Sequence, residues 1–520
     1  MSMSSYPLRW CRAACMVLSS VIAGCATTLP TDKPAPGYAQ AVREDGRFAV
    51  VEQRVAALHG ADVSAFQLLE RNADGLTWRV ALIENARYSI DLQYYVWFGD
   101  ISGQLLLARC IAAADRGVKV RILFDDLSTM LRRMSSPELR DAMLARVDRH
   151  PNIEVRVFNG WHARDWLGRA VEGATEFERL NRRMHNKQMI VDNRAAIIGG
   201  RNVGDEYMGL HTEFNFHDLD VLGIGPVARQ ASNVFDRYWN SDWVRRIPPY
   251  TGPESGSLTP PMIELPPEAA AHPAVKALLS DEAARVRGID RLPEAMAFGK
   301  SAVHTDSPSR EASSPNHMPE AFRKLMRSAR REVMITNAYI IPDEVFISDL
   351  RELAARGVTV RILTNSLSSH DVPAVNSHYE RWRKPILDAG ASLHELRADA
   401  TIQSELVDTP PIRSGFVGLH TKAMVIDRER AFIGSMNLDP RSEVFNSEMG
   451  VIIESPQLAV DLARRMERDL GGANSWKVLC DADGSLRWSS STGELKTQPA
   501  RGLWQRVQNL VFKLAPASYY

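Results

Sequence analysis

A polar motif that occurs twice with identical internal spacing constrains the fold of this 520-residue chain more than any other feature. The first copy consists of His185, Lys187, Asp192, Gly199, Gly200 and Asn202. The second copy has the same offsets and consists of His420, Lys422, Asp427, Gly434, Ser435 and Asn437. A repeat of this kind predicts two similar units, with equivalent residues related by a pseudo-twofold axis.

Each motif is preceded by a second shared pattern, a helix followed by a strand. The helical stretches end near Gly117 and Gly357, and glycine suits the left-handed position that follows a helix. Valine and isoleucine then alternate over 118–122 and 358–362, which predicts strands. Alternating helices and strands predict an α/β fold of two similar lobes, each a mixed β-sheet flanked by helices.

Shifts in composition divide the chain into six segments. A Pro-rich stretch separates the two copies of the motif, and another lies ahead of the first copy. The predicted segments are a signal peptide at 1–24, a tether at 25–60, the first lobe at 61–245, a Pro-rich linker or insertion at 246–315, the second lobe at 316–475 and a C-terminal extension at 476–520.

The first residues have the properties of a bacterial lipoprotein signal. Arg9 and Arg12 precede an uncharged, mostly apolar run that ends in small residues before Cys25. This pattern predicts cleavage before Cys25 and lipidation of its thiol, which would hold the protein at a membrane surface. A short membrane anchor is the alternative. Ala26 favours a periplasm-facing lipoprotein of the outer membrane over one retained at the inner membrane.

Overall charge and cysteine content argue against a nucleic-acid-binding protein and against a disulfide-rich one. Lysine plus arginine and aspartate plus glutamate each number 63, so no basic surplus is present to hold nucleic acid. We therefore expect no nucleic-acid partner. Beyond Cys25 the chain has only Cys110 and Cys480, which is too few for a disulfide framework, and the residues leave their pairing open.

The repeated residue types suit chemistry on one phosphodiester. Residues two apart on a strand point to the same face, so the histidine and lysine of each copy project together. One imidazole can attack phosphorus, and the other can protonate the departing alkoxide. Lys187, Lys422, Asn202 and Asn437 would stabilise charge on the non-bridging oxygens. No cofactor or metal is predicted, since no histidine, cysteine or carboxylate cluster has metal-ligand spacing.

The other motif positions are predicted to be structural. Asp192 and Asp427 fall at predicted turns, where aspartate hydrogen-bonds the backbone. Glycines at the ends of strands allow close approach of the backbone to a bound group, and the positions concerned are Gly199, Gly200, Gly434 and Ser435.

Each histidine also needs an acceptor for its second nitrogen. Alignment of Gly225-Pro226 with Ser455-Pro456 places Asp218 opposite Glu448, so these two are the candidate orienting carboxylates. Asp220 is the reserve candidate for the first lobe, and an ordinary carboxylate at a strand edge is the alternative for each position.

Together these residues resemble the HKD signature of the phospholipase D superfamily. The resemblance implies two α/β lobes that form a single active site, with His185 as the nucleophile and His420 as the general acid. The residues alone do not rank the two histidines, because the copies are nearly equivalent.

Four further stretches are similar to bacterial cardiolipin synthases of the C type, namely 91–95, 179–187, 371–375 and 434–442. This similarity implies a phosphatidyl-transferring enzyme that joins two phospholipids and releases one head group. A lipoprotein signal departs from a synthase that spans the membrane several times.

Three other functions remain open. A phospholipase D would use water as the acceptor and release phosphatidic acid. A periplasmic nuclease of the same superfamily should show a basic surplus, which is absent. A non-catalytic lipid-binding module should have lost a motif histidine or lysine, and all four are present.

Three further groups of residues are assigned to the surface or to the core. Arg179, Arg182 and Arg183 are expected on a solvated face, with contact to lipid phosphate as the alternative. Tyr94 and Tyr95 are expected in the core, with the lining of a lipid cleft as the alternative. Near the C-terminus, one helical face is apolar and is expected to pack against a lobe, with docking on a membrane as the alternative; its residues are Trp504, Val507, Leu510, Val511 and Leu514, with Arg506 and Lys513 nearby.

Overall fold

The computed structural model describes residues 31–126, 144–163, 166–247, 265–308 and 316–514. The predicted signal peptide and the lipidation residue Cys25 lie outside these ranges, as does most of the Pro-rich stretch after Ile247. Among the described residues, no helix combines the length and the apolar character needed to cross a membrane. Cys110 is buried, Cys480 is exposed, and both are free thiols.

The helices are numbered in chain order. They are α1 Arg47–His59, α2 Asn72–Asn85, α3 Ile101–Asp115, α4 Trp166–Thr175, α5 Phe177–Asn181, α6 Pro226–Trp239, α7 Pro267–Ala271, α8 Pro273–Ser280, α9 Glu282–Asp290, α10 Leu292–Ala295, α11 Met318–Arg327, α12 Glu344–Ala355, α13 Pro373–Tyr379, α14 Arg383–Asp388, α15 Pro456–Leu470 and α16 Leu503–Phe512. Short 3₁₀ or π-helical turns lie at Asp205–Tyr207, Glu380–Trp382, Gln403–Val407 and Arg441–Phe445.

The strands of the first lobe are β1 Ser64–Leu69, β2 Ser89–Tyr94, β3 Lys119–Asp125, β4 Ile153–Phe158, β5 Gln188–Val191, β6 Ala195–Gly199, β7 Phe214–His217, β8 Asp220–Ile224 and β9 Val244–Arg246. Those that follow are β10 Ala297–Thr305, β11 Glu332–Asn337, β12 Thr359–Asn365, β13 Ser392–Leu396, β14 Phe416–Leu419, β15 Lys422–Ile426, β16 Arg430–Gly434, β17 Met449–Glu454, β18 Ser475–Cys480, β19 Leu486–Ser490 and β20 Gly493–Leu495.

Within the described ranges, 18 strands join into one mixed sheet that runs through both lobes. The first half has the order β9-β4-β3-β2-β5-β6-β8-β1, and only β2, β3 and β4 are parallel neighbours. The second half repeats this order as β18-β13-β12-β11-β15-β16-β17-β10. The halves meet where β1 pairs with β10 in antiparallel orientation. This symmetry confirms the predicted α/β fold with two related lobes.

The glycines that follow α3 and α12 explain why each helix turns sharply into a strand. Gly117 and Gly357 have φ angles of 96° and 74°, in the left-handed region that suits glycine. In both lobes the next strand is therefore aligned in parallel with the strand before the helix. The predicted helix–glycine–strand pattern is confirmed in both copies.

The two lobes share an apolar core that holds them together. Residues from both halves of the sheet pack around α6 and α15, and they include Phe66, Ile190, Val221, Phe235, Met334, Val425, Val451 and Leu462. Separate cores lie on the remaining faces, one in each lobe. Burial of continuous apolar surface stabilises one relative position of the lobes, which fixes the site at their junction.

Two segments predicted as connecting chain contain regular structure. The tether includes α1, whose apolar side packs into the core of the first lobe through Phe48, Val51 and Val55. The linker includes α7 to α10 and also β10, the strand that joins the two halves of the sheet. Proline interrupts helices and strands only locally. The segments between the prolines therefore still form helices and a strand, and they bury apolar residues such as Ile289 and Leu292.

The repeated aspartates hydrogen-bond backbone groups that lie outside their own predicted turns. Asp192 and Asp427 occupy turns with φ angles of 52° and 55°. The carboxylate of Asp192 accepts hydrogen bonds from the backbone N–H groups of residues 87–89, ahead of and at the start of β2. Asp427 does the same for residues 330–332 at the start of β11. Each aspartate therefore ties its motif hairpin to the neighbouring strand.

Candidate active site

Backbone hydrogen bonds between the lobes bring the two motif histidines to one place. The N–H of His185 donates to the carbonyl oxygen of Ser447 at 2.8 Å. The N–H of His420 donates to the carbonyl oxygen of His217 at 2.9 Å, where β14 pairs in parallel with β7. These two contacts are equivalent under the pseudo-twofold symmetry. Each histidine is bound by the residue that directly precedes Glu448 or Asp218 in the other lobe.

The side chains follow the same crossed arrangement. Nδ1 of His185 lies 2.8 Å from Oε2 of Glu448, and Nδ1 of His420 lies 2.7 Å from Oδ2 of Asp218. All four side chains are buried. The reserve candidate Asp220 instead pairs with Arg79 and Arg201, at 2.9 Å and 3.2 Å. Since Nδ1 of each histidine is occupied, Nε2 is the nitrogen left for chemistry.

Both motif lysines are buried beside their histidines. Nζ of Lys187 donates to the carbonyl oxygen of His185 at 2.5 Å, and Nζ of Lys422 donates to that of His420. Their ammonium groups also lie over aromatic rings, 5.1 Å from the centroid of Tyr95 and 5.8 Å from that of Tyr339. Each lysine thus shares a face with its histidine, as the spacing predicts.

The motif asparagines and glycines border the same space. Oδ1 of Asn202 accepts a hydrogen bond from the N–H of Val96, whereas Oδ1 of Asn437 is buried without a partner among the described residues. Gly200 lies so close to Asp218 that a Cβ atom would come within 2.2 Å of its Oδ1. Gly434 packs equally closely on the backbone of Met449, 2.4 Å from a Cβ atom.

The equivalent of Gly200 in the second lobe is Ser435, and this difference makes the two histidine–carboxylate pairs unequal. The hydroxyl of Ser435 donates to Oε2 of Glu448 at 2.5 Å, and the hydroxyl of Ser442 donates to Oε1 at 2.8 Å. Asp218 has no such pair of serine donors among the described residues. Sequence reasoning missed Ser442, although it lies in the 434–442 stretch; the signal was its position five residues after Asn437.

Burial and mutual repulsion set the protonation of the four basic groups. Burial, followed by repulsion from Lys187 and Lys422, holds the pKa of His185 well below its usual value. Burial also lowers the pKa of Lys187 well below its usual value and that of Lys422 to about 8. These buried basic groups lower one another's pKa values. The site therefore suits an anion, whose negative charge would raise each of these pKa values.

The two histidine–carboxylate pairs differ in their charge. Burial raises the pKa of Glu448 to about 7, against the opposing attraction of Lys187. Burial also opposes ionisation of Asp218, but its attraction to His420 and their hydrogen bond outweigh burial, and its pKa lies below the usual value. Burial lowers the pKa of His420 too, while Asp218 counteracts part of that shift. An imidazolium is therefore better supported at His420 than at His185.

Aromatic rings surround the histidines. Tyr95 meets the His185 ring edge-on at 4.8 Å, and Tyr207 and Phe216 lie 5.2 Å and 5.0 Å from the His420 ring. Tyr94, the last residue of β2, is buried in the core of the first lobe, as expected. Tyr95 follows the strand, borders His185 and packs against a small apolar cluster that includes Val96 and Tyr207.

The arginines before the first motif do not form the expected solvated face. Arg183 is buried and lies 3.3 Å from Asp125, while Arg179 binds Glu172 and Glu176. Asp125 of β3 and Glu172 of α4 are the buried partners of these two guanidinium groups, while Glu176 follows α4 and is partly exposed. The local charge pattern of the sequence does not indicate these partners.

Two clusters among the described residues have atoms close enough to hold a metal ion. They are Glu70, His217 and Asp469, and His162, Glu172 and Glu176. Both are already neutralised by arginine: Glu70 pairs with Arg465 and Arg468, and Glu172 and Glu176 pair with Arg179. Neither cluster contains a motif histidine.

Known proteins are similar to this chain in sequence and in fold. The family model described as "Cardiolipin synthase, PLD-like domain" matches residues 80–239 and 322–470. Cardiolipin synthase C of Escherichia coli K12 is 36% identical over 462 residues, which cover 87% of this chain and 95% of that protein. Cardiolipin synthase 1 of Bacillus anthracis is 25% identical, with coverage of 81% and 69%.

A solved structure supports the fold assignment. Phosphatidylserine synthase of Haemophilus influenzae Rd KW20 matches with a TM-score of 0.52 and 14% identity, over 81% of this chain and 90% of that one. At this identity the match shows a common fold. Each matched region of the family model contains one HKD motif and the central strands of its half of the sheet, while β1, β9, β10 and β18 lie outside the matched regions. The chain belongs to the phospholipase D-like family of cardiolipin synthases.

Proposed function

We propose that this protein is a phosphatidyl-transferring enzyme that makes cardiolipin from phosphatidylglycerol and a second phospholipid. The observation that carries the proposal is the pair of crossed histidine–carboxylate contacts, with two buried lysines in the same site. The arrangement supplies a nucleophile, a proton donor and positive charge for one phosphodiester. The cardiolipin synthase names of the relatives support cardiolipin as the product.

The charges support distinct roles for the two histidines. The pKa of His185 lies well below its usual value, mainly through burial, so its Nε2 has a free lone pair that can attack phosphorus. A P–N bond forms, the P–O bond to the head group breaks, and the imidazolium of His420 gives its proton to the departing alkoxide. Asp218 stabilises that imidazolium through its carboxylate.

The second step reverses the first with a new alcohol. His420 removes the proton from a glycerol hydroxyl group of phosphatidylglycerol, whose oxygen attacks phosphorus as the P–N bond to His185 breaks. Phosphatidylglycerol is therefore the acceptor in this scheme, and the second phospholipid is the donor of the phosphatidyl group. One phosphodiester replaces another, so the exchange needs no external energy source. Lys187, Lys422, Asn202 and Asn437 are proposed to stabilise charge on the non-bridging oxygens, while Glu448 orients His185.

Lipidation at Cys25 would place the enzyme at its substrate. Acyl chains on this residue would tether the folded lobes to a membrane of the cell envelope on its periplasmic side. The proposed partners are therefore phospholipid substrates and the membrane surface that contains them. The outer membrane is favoured over the inner membrane by Ala26 alone.

The products formed from defined lipids test the proposal. Purified protein in excess EDTA is incubated with labelled phosphatidylglycerol, with and without phosphatidylethanolamine, and the lipids are separated by thin-layer chromatography. We expect cardiolipin, and dependence on phosphatidylethanolamine would identify the second phospholipid. Phosphatidic acid as the sole product would assign the chain to hydrolysis instead. Absence of any new lipid in all mixtures would contradict both functions.

The close contact between Gly200 and Asp218 gives a matched pair of variants. In Gly200→Ala a Cβ atom would lie 2.2 Å from Oδ1 of Asp218, so the carboxylate must move away from His420. We expect the transfer rate to fall at least about 100-fold, because small misplacements of this kind are costly. Ser435→Ala, at the equivalent position, removes one of two serine donors to Glu448 and should cost about tenfold or less.

Initial rates of cardiolipin formation at equal protein concentration measure this difference. Thermal unfolding of both variants checks that the lobes remain folded. A Gly200→Ala protein that is folded and as active as Ser435→Ala would show that the position of the Asp218 carboxylate does not limit the reaction.

A further inference from the structure

The C-terminal helix α16 packs with its polar face against the second lobe. Gln505 and Asn509 are buried. Nε2 of Gln505 donates to the carbonyl oxygen of Leu367 at 2.5 Å, and Oδ1 of Asn509 accepts from Nδ2 of Asn376 in α13 at 2.7 Å. At the end of the helix Lys513 pairs with Glu380 at 2.5 Å. The helix is therefore held in place by polar contacts.

The apolar face of α16 points away from the protein. Exposed fractions are 82% for Leu503, 71% for Trp504, 65% for Leu510 and 88% for Leu514, and Val507 and Val511 are also exposed. The sequence-based expectation that this face packs against a lobe is wrong. A continuous row of exposed aliphatic and aromatic side chains on a well-anchored helix indicates an interaction surface.

Charge around this face favours an anionic partner. Residues 495–520 contain Lys496, Arg501, Arg506 and Lys513 and no aspartate or glutamate; Glu380 neutralises Lys513, which leaves the other three cations without a carboxylate at salt-bridge distance among the described residues. A second copy of the same face would bring like charges together, which opposes self-association. Tryptophan is enriched where a lipid bilayer meets water, because its ring is apolar and its N–H is polar. The combination suits the surface of an anionic phospholipid bilayer.

The helix is also linked to the candidate active site. Arg501, just before α16, donates to the carbonyl oxygen of His370 at 3.3 Å, and its guanidinium lies 3.7 Å from the ring centroid of Phe416 in β14. The His370 ring stacks on Tyr339 at 5.3 Å, and Tyr339 lies 6.5 Å from the His420 ring. The exposed face and the catalytic histidine are thus supported by the same loop and strand.

We propose that α16 lies in the interface of an anionic phospholipid bilayer, with its apolar face among the lipids and its polar face on the second lobe. The inference rests on the proposed function in that the bilayer is also the source of substrate. A lipid tether at Cys25 limits the distance to the membrane but leaves the lobes free to rotate. Contact through α16 fixes their orientation beside the membrane.

Fluorescence quenching tests the contact without reference to activity. Full-length protein is mixed with phosphatidylglycerol vesicles whose acyl chains carry bromine, which quenches tryptophan at short range. The chain has 11 tryptophans, so wild type is compared with Trp504→Phe, which keeps the face apolar. We expect a larger quenched fraction in wild type. Equal quenched fractions in the two proteins would overturn the proposal.

Activity on two forms of the substrate tests the orienting role. Leu503→Ser/Leu510→Ser is compared with Val50→Ser/Leu58→Ser, which removes two exposed apolar side chains from α1. We expect the first pair to lose at least about tenfold on vesicles of phosphatidylglycerol and phosphatidylethanolamine, through weaker contact with lipid, and to keep the wild-type rate on the same two lipids in dissolved short-chain form. The control pair should match wild type on both substrates.

The outcomes separate the two proposals. An equal loss on both substrates, or no loss on vesicles, would overturn the role of α16 in contact with the bilayer. Wild type and the control pair could form a dimer that Leu503→Ser/Leu510→Ser does not form. That result, together with equal quenched fractions in wild type and Trp504→Phe, would assign the face to a second copy of the chain and overturn the proposal. Inactivity of wild type on both substrates would contradict the proposed function, while the quenching difference would still decide the contact.

Discussion

Replacement of His185 by alanine should lower the rate of phosphatidyl transfer by at least about 10⁴-fold, because the variant lacks the atom that forms the P–N bond. His420, Lys187 and Lys422 remain in place to bind the phosphodiester, so the variant should still bind lipid. The loss is therefore expected in turnover rather than in binding.

Covalent trapping provides the direct measurement. Phosphatidylethanolamine or phosphatidylglycerol, each labelled in its phosphate, is mixed with protein, the reaction is quenched, and the protein is analysed for an acid-labile phosphohistidine. Wild type should carry the label, and His185→Ala should not. His59→Ala, which removes an exposed histidine at the end of α1, is the matched control and should behave as wild type. Label that persists in His185→Ala but disappears in His420→Ala would reverse the proposed roles.

Replacement of Asp218 by asparagine should have the second-largest effect, a fall of about 10³- to 10⁴-fold in turnover. The carboxylate accepts a hydrogen bond from Nδ1 of His420 at 2.7 Å. An amide at this position lacks the negative charge that stabilises the imidazolium, and it can also present its NH₂ group to Nδ1. His420 would then be a poorer proton donor and could adopt the wrong tautomer.

The pH dependence gives this variant a distinct signature. Burial and Lys422 lower the pKa of His420, and Asp218 raises it in part. Loss of the Asp218 charge lowers that pKa further, so His420 loses its proton at a lower pH. The alkaline limb of the rate profile should therefore move to lower pH in Asp218→Asn.

Glu448→Gln is the comparison for this measurement, because Glu448 contacts the other histidine. It should slow the reaction without the same displacement of the alkaline limb. An unchanged alkaline limb in Asp218→Asn, or a rate within a few fold of wild type, would remove the basis for His420 as the proton donor.

Local sequence patterns predicted much of the fold because they report local physics. Alternating valine and isoleucine predicted the strands β3 and β12, and the glycines before them predicted the sharp turns out of the preceding helices. The repeat predicted two lobes of the same topology. It did not indicate β10, which lies between proline breaks in the assumed linker and joins the two half-sheets.

The errors share one physical cause. A helical or strand pattern shows which residues share a face, but the neighbour that covers the face comes from a distant part of the chain. The apolar side of α16 was expected to pack inward, yet Gln505 and Asn509 are the buried residues. Arg183 was expected in water and is buried beside Asp125.

Much of the candidate site is predicted from the repeat alone. Identical spacing groups the two histidines, the two lysines and the two asparagines as one set, and alignment of the repeats names Asp218 and Glu448 as their candidate carboxylates. These conclusions need only side-chain types and strand geometry.

Which carboxylate meets which histidine depends on how the two lobes dock, and the sequence does not show this. His185 and Glu448 are 263 residues apart, and His420 and Asp218 are 202 apart, so both contacts cross from one lobe to the other. The crossing follows from the antiparallel pairing of β1 with β10 and from the apolar core that both lobes share. Local periodicity contains no information about that docking, because its free energy comes from surfaces that meet only after each lobe has folded.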